Sequence, residues 1–263
     1  MYSSKNFIIP FSSGLIGLFF ISLSKIIESS TGTKSYEVAW LASFFVMIGM
    51  LYIRFFSLDS SKFGSIINET NPIQEISLRP MRFVNGMTLA MIIGFLATVA
   101  IYYNFIVGML VYLVMQICLI YSFSGISSFS IPNLLKYAKF KLHTIITLVL
   151  WIMIIGTVYF VFVYDGNKSI IVIPYVIALG TMAHYSWYGF PYSDRSKLFR
   201  YMIVLASAIF VFSDSLIGNQ MFGSIKFDFL YPVIDLTYVI NIFLMSQSIL
   251  FLKDKNGLSP LKE

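Results

Sequence analysis

Runs of apolar residues, each broken by a short polar connection, recur eight times along the chain. They lie near 7–26, 36–57, 84–103, 105–123, 143–164, 170–189, 199–220 and 232–252. A helix needs about 17–25 apolar residues to cross a bilayer, and each run meets that length. None alternates with period two in ten-residue blocks, as barrel strands do. The pattern predicts an all-α, polytopic membrane bundle of about eight transmembrane helices in a single domain. Only Tyr102-Tyr103-Asn104 separates the third and fourth runs, so these should form a tight antiparallel hairpin. Only Lys5 among basic residues precedes the first run, and no small-x-small cleavage site follows it, which favours a retained helix over a signal peptide. The longest connection, 58–83, carries Pro72, Pro80 and many turn-forming residues and reads as a cytoplasmic loop. Residues 253–263 read as a solvent-exposed tail.

Composition agrees with a lipid environment. The chain is 58% hydrophobic and only 11% charged, against about 25% charged in soluble domains. The single cysteine, Cys118, precludes an internal disulfide, and the two histidines, His143 and His184, offer poor support for a zinc site. No metal or cofactor is expected. The formal charge of +6 does not indicate nucleic acid, because the basic residues are scattered singly at helix ends. Their distribution instead reports topology. With eight spans, fourteen Lys and Arg residues fall on one face and four (Lys25, Lys34, Lys168 and Lys226) on the other. The positive-inside rule then puts both termini in the cytoplasm.

Few polar side chains lie within the spans: Gln116, Asp214, Asp235, Asn241, Gln247 and some hydroxyls. Asp214 stands in the apolar stretch 205–222, where an ionisable group normally faces the bundle interior and marks a functional site. The alternative is a carboxyl near the helix end, wetted by headgroup water. Asp235, Tyr238 and Asn241 follow one another at i, i+3 spacing and share a helical face at the same side of the membrane. Such a stripe suits a lipid headgroup or a water, and equally the polar packing of membrane helices. Trp40, Tyr188 and Tyr231 read as an interfacial belt. His184 belongs to the cytoplasmic end of the sixth helix, about 10–15 Å in depth from Asp214, and is expected at the interface. No mid-span lysine is available for retinal, and no broken helix pair suggests a transporter.

At these residues the sequence resembles the YhhN family, multi-pass membrane proteins whose characterised members are lysoplasmalogenases. Ile209 to Phe222, IFVFSDSLIGNQMF, is similar to the family's Ser-Asp-x-Leu-Leu-Ala helix, with Ser213 and Asp214 on its Ser-Asp. Tyr175 to Ala183, YVIALGTMA, resembles the helix before it, and Tyr238 and Asn241 fall on a Tyr-x-x-Gln pattern in the last helix. Earlier, Gly94-Phe95 aligns with a Gly-Asp, and Gly108 and Gln116 with a Gly and a His. The resemblance covers roughly 88–250. It implies hydrolysis of the vinyl ether bond of a lysoplasmalogen, with Asp214 as the acid and Ser213, Asp235, Tyr238, Asn241 and Gln116 around the substrate. This chain departs from the pattern at Phe95, the first acidic position, and at Gln116, the histidine position. Asp235 is a candidate replacement for the missing acid. Two readings therefore stand: an ether-lipid hydrolase with a remodelled second group, and a non-catalytic relative binding a lipid or a partner. A membrane lipid or lysolipid is the expected ligand, and a bacterial inner membrane the expected location.

The charge split generates a direct test of orientation. Reporters fused after Lys262 or within 58–83 are expected in the cytoplasm, and one within 221–231 outside. A cytoplasmic signal from the last would refute the arrangement.

Overall fold

The computed structural model describes residues 4–32, 36–58, 80–124, 141–165, 169–192, 196–222 and 230–252. Eight long helices account for nearly all of them: α1 (Ser4–Thr31), α2 (Tyr36–Tyr52), α3 (Pro80–Tyr103), α4 (Phe105–Phe123), α5 (Lys141–Asp165), α6 (Ser169–Tyr192), α7 (Lys197–Phe222) and α8 (Leu230–Ser248). A π-helical turn, Ile53–Ser57, extends α2, and a 3₁₀ turn, Ile249–Phe251, extends α8. The eight predicted runs thus coincide with eight helices, and the chain is an all-α polytopic bundle. Six of the helices are long and apolar enough to cross a membrane among the described residues. Most of the predicted 58–83 loop and the predicted tail, residues 59–79 and 253–263, lie outside those residues.

The outward faces explain why the sequence is so apolar. Ile152 and Met153 on α5 are both 67% exposed, Phe19 on α1 is 62% exposed, and Leu96 and Ile117 are exposed on α3 and α4. Water would penalise such a continuous apolar surface, whereas hydrocarbon accepts it. Inside, α3 presents Phe83, Met87, Ala90 and Ala97, all fully buried, at the three-to-four-residue spacing of one helical face. The last helix, α8, is the most buried of the six spans and packs against α1, α2, α3 and α7. On the periphery, α5 rests mainly on α6.

Two local features set the geometry of the bundle. In the α3–α4 hairpin the connection is a single residue. Asn104 adopts an extended conformation (φ −153°, ψ 115°), and its side-chain oxygen accepts from the amides of Ile106 (3.0 Å) and Val107 (3.2 Å). It therefore ends one helix and caps the next. Gly108 then lies against the α3 backbone, where an added Cβ would come within 2.4 Å of Ile101 Cα. At the opposite end, Pro10 lies inside α1. Its ring nitrogen has no proton for the carbonyl four residues earlier. That carbonyl, Asn6 O, accepts instead from Ser57 Oγ at 3.1 Å, and Gln247 Nε2 donates to Pro10 O at 3.2 Å. The start of α1 is thereby tied to the ends of α2 and α8. The same end carries Arg54, bonded to Asn85 Oδ1 at 2.7 Å, and Arg82, bonded to Ser124 Oγ at 2.8 Å.

The hairpin crossing has a measurable consequence. Gly108→Leu cannot be accommodated without moving backbone, and overpacking of this kind costs about 1–3 kcal/mol. A clear drop in Tm of the detergent-solubilised variant is expected; an unchanged Tm would show that the two helices do not cross so closely.

Candidate functional site

Toward the end of the bundle opposite Arg54 and Arg82, seven helices leave a cavity of about 620 Å³ between them. Its polar wall includes Thr98 of α3, Tyr112 of α4, Tyr175 of α6, Asp214 of α7 and Tyr238 of α8. Its rim includes Ser24, Lys25 and Glu28 of α1 and Asp235 of α8. Along its flank run apolar side chains of α5 and α6, among them Leu150, Met153, Ile154, Val176 and Leu179.

Asp214 is partly buried and accepts a hydrogen bond from the phenol of Tyr175, Oη to Oδ2, at 2.5 Å. The direct hydrogen bond to Asp214 thus comes from α6, and not from Asp235, Tyr238 or Asn241 of α8. Helical geometry supplies the reason. Successive residues on a helix point about 100° apart, and it is Ser213 that faces α8, donating to Ile234 O at 3.1 Å. Asp214 is thereby turned toward α6. Tyr238 nevertheless stands within electrostatic reach of the carboxyl.

Tyr238 anchors a second polar cluster. Its hydroxyl lies 3.3 Å from Gly94 O and 3.3 Å from Thr98 Oγ1, which in turn lies 3.0 Å from the Tyr112 hydroxyl and 3.4 Å from Ser43 Oγ. The rings of Tyr112 and Tyr238 meet edge to face at 5.6 Å. Gly94 makes this approach possible, since a Cβ there would stand 2.9 Å from Met115 Sδ and 3.2 Å from the Tyr238 oxygen. The neighbouring Phe95 packs its ring on Phe44 of α2 at 5.6 Å and is not part of the cavity wall.

Asp235, a candidate second acid, forms an ion pair with Lys25 of α1. Lys25 also contacts Glu28 Oε2 at 2.9 Å. Asp235 and Asp214 share the cavity, but no direct hydrogen bond joins them among the described contacts. Gln116 and Asn241 both face the bundle and are fully buried, and neither amide makes a geometrically sound hydrogen bond with the described residues. Gln116 lies beside Tyr175. Four residues separate Gln116 from Tyr112 and three separate Asn241 from Tyr238, so both amides sit about one turn deeper than the tyrosine pair. His184 lies toward the other end of α6. It is buried, with Trp151 of α5 edge-on at 6.3 Å, because α5 covers that face of α6. It is nine residues from Tyr175, about 14 Å along the helix.

Sequence reasoning did not single out Tyr175, Thr98, Tyr112 or Lys25 as site residues. The tyrosines carried a signal in their depth: Tyr112 is seven residues inside α4 and Tyr175 six inside α6, below an interfacial belt. Lys25 and Thr98 carried none.

These features define a multi-pass α-helical membrane protein with a polar cavity enclosed between its helices. The sequence matches the YhhN family over residues 39–249, and the chain belongs to that family. No curated protein and no solved structure matches it.

The Asp214–Tyr175 bond can be tested separately from any activity. Asp214→Leu strands the phenol and is expected to cost about 1–3 kcal/mol, whereas Asp214→Asn keeps an acceptor. Thermal denaturation in detergent should therefore rank wild type and Asp214→Asn together, above Asp214→Leu. Equal Tm values for all three would show that the bond adds nothing to packing.

Proposed function

We propose that the protein is a membrane-embedded hydrolase of the lysoplasmalogenase type, acting in a bacterial cytoplasmic membrane. It would add water across the vinyl ether bond of a lysoplasmalogen, releasing an aldehyde and a glycerophospho-base. The observation that carries this reading is the placement of one carboxyl, Asp214, held by a phenol on the wall of a cavity with a charged rim and an apolar flank. A lysolipid has the same division, a charged headgroup joined to one hydrocarbon chain. The resemblance to the YhhN family's characterised lysoplasmalogenases supports this choice of reaction class, and the family match covers residues 39–249.

A single carboxyl suffices for the chemistry. In its acid form Asp214 gives a proton to the vinyl carbon that is not bonded to oxygen, and an oxocarbenium ion forms at the carbon that is. The carboxylate left behind then takes a proton from water as the water oxygen bonds to that carbon. This restores the acid. The hemiacetal transfers its hydroxyl proton to the ether oxygen, the carbon–oxygen bond breaks, and an aldehyde and an alcohol separate. Tyr175 engages Oδ2 and orients the group, leaving Oδ1 for the reacting carbon and the water. A second acid at the Phe95 position is not required by this sequence of steps. A non-catalytic lipid binder is favoured by a different observation, the pairing of Asp235 with Lys25, which removes the candidate second acid from acid–base work.

The decisive measurement is aldehyde release from an alkenyl-lysophosphoethanolamine by the purified protein. Asp214→Asn is expected to reduce kcat by about 10²–10⁴-fold, the usual loss on removing a general acid, while the protein still folds. Tyr175→Phe should give a smaller loss. No turnover by the wild type, or full turnover by Asp214→Asn, would overturn the proposal.

A further inference from the structure

We propose that Lys25, Glu28 and Asp235 at the cavity rim form a subsite for a zwitterionic phosphodiester headgroup, with phosphate on Lys25 and ammonium on the two carboxylates. The inference rests on the lipid reading of the cavity and adds the residues that would select the headgroup. Lys25 belongs to α1, outside the stretch 39–249 that matches the family, so this cation is contributed by a part of the chain to which the family match does not extend.

The geometry points to a ligand and not solely to a link between helices. All three charged side chains line the cavity, and all are only partly exposed, between 19% and 28%. An ammonium group has three N–H donors; Glu28 and Asp235 occupy two of those on Lys25. A phosphate oxygen can take the third. The two carboxylates outnumber the lysine among the described rim residues, so an incoming anion alone is poorly matched. A headgroup that carries its own cation meets the imbalance. Tyr102 and Tyr231 also line the cavity, and aromatic faces favour an alkylammonium.

Spacing agrees as well. Asp235 precedes Tyr238 by three residues on α8, so the rim lies about 4.5 Å along the axis from Tyr238, within whose electrostatic reach Asp214 stands. The glycerol of a lysolipid separates its phosphate from its ether oxygen by three carbons, a span of the same order. A headgroup on Lys25 would thus hold the ether end of the chain near Asp214, with the hydrocarbon along the α5–α6 flank.

The test uses a saturated alkyl-ether lysophosphocholine, which lacks the vinyl bond and stays intact, binding to the full-length protein in detergent. Alkylglycerol lacks the phosphate, alkyl-lysophosphoglycerol lacks the ammonium, and glycerophosphocholine lacks the chain. Wild type is expected to prefer the lysophosphocholine over alkylglycerol by about tenfold or more, as for one charge-assisted hydrogen bond. It should also prefer it over lysophosphoglycerol. Lys25→Gln combined with Asp235→Asn removes both charges of the pair and should lose the preference for lysophosphocholine over alkylglycerol. Should that double variant fail to fold, Glu28→Gln provides the second readout, a narrowed preference for lysophosphocholine over lysophosphoglycerol. Equal binding of all three lipids by wild type, or an unchanged preference in the variant, overturns the subsite. Binding of glycerophosphocholine as tight as the lysolipid would show a soluble headgroup site and overturn the lipid assignment. Headgroup preference retained in a protein that releases no aldehyde would sink the hydrolase reading while sustaining the subsite.

Discussion

A carboxyl inside an apolar bundle needs a partner from the protein itself, because hydrocarbon offers none. For Asp214 that partner is the Tyr175 phenol, and the arrangement of the surrounding helices follows from bringing the two together. The pair bridges α6 and α7 near one end of the bundle. On the same polar wall, Tyr238, Thr98 and Tyr112 join α8, α3 and α4 through hydroxyl contacts. Five helices thus converge on one polar locus in an otherwise apolar interior. The cavity is the space these side chains keep open between them.

Glycine and proline make that convergence possible at the level of the backbone. Gly94 lets the Tyr238 hydroxyl reach the α3 carbonyl, and Gly108 lets α4 lie directly on α3 just after the one-residue turn. Pro10 acts at the other end by freeing a carbonyl that Ser57 then satisfies. In each case the missing atom, a Cβ or an amide proton, creates a contact between helices. Without close crossings, polar groups on different helices would be left unsatisfied in the membrane interior.

The site also bears on how this chain differs from its family's pattern. Phe95 packs on Phe44 away from the cavity, so no carboxylate from that position reaches Asp214. Gln116, which the resemblance sets against a histidine, stays fully buried beside Tyr175. Asp235 is held by a lysine from α1. The remaining acid is therefore surrounded by phenols and hydroxyls, which orient and donate but carry no charge at neutral pH.

How much of this was legible in the linear chain depends on the range of the physics involved. Helix number and position were, because the bilayer thickness fixes a run length and each run is local. The α3–α4 hairpin was, because only Tyr102-Tyr103-Asn104 separates the two apolar runs. That Asp214 faces the bundle interior was also readable, since a charge in an apolar run is unfavourable against lipid. The partner of Asp214 was not. Ser213 and Asp214 are adjacent in sequence yet point to different helices, and only the packing of α7 decides which meets Tyr175 and which meets α8. For the same reason Lys25 read as one of four basic residues on a membrane face, when tertiary structure brings it onto Asp235, 210 positions away. The sequence by itself determined which segments form long apolar helices and where a charge lies within them. Which side chains share the cavity was decided by helix rotation and crossing, which depend on contacts between residues far apart in the chain.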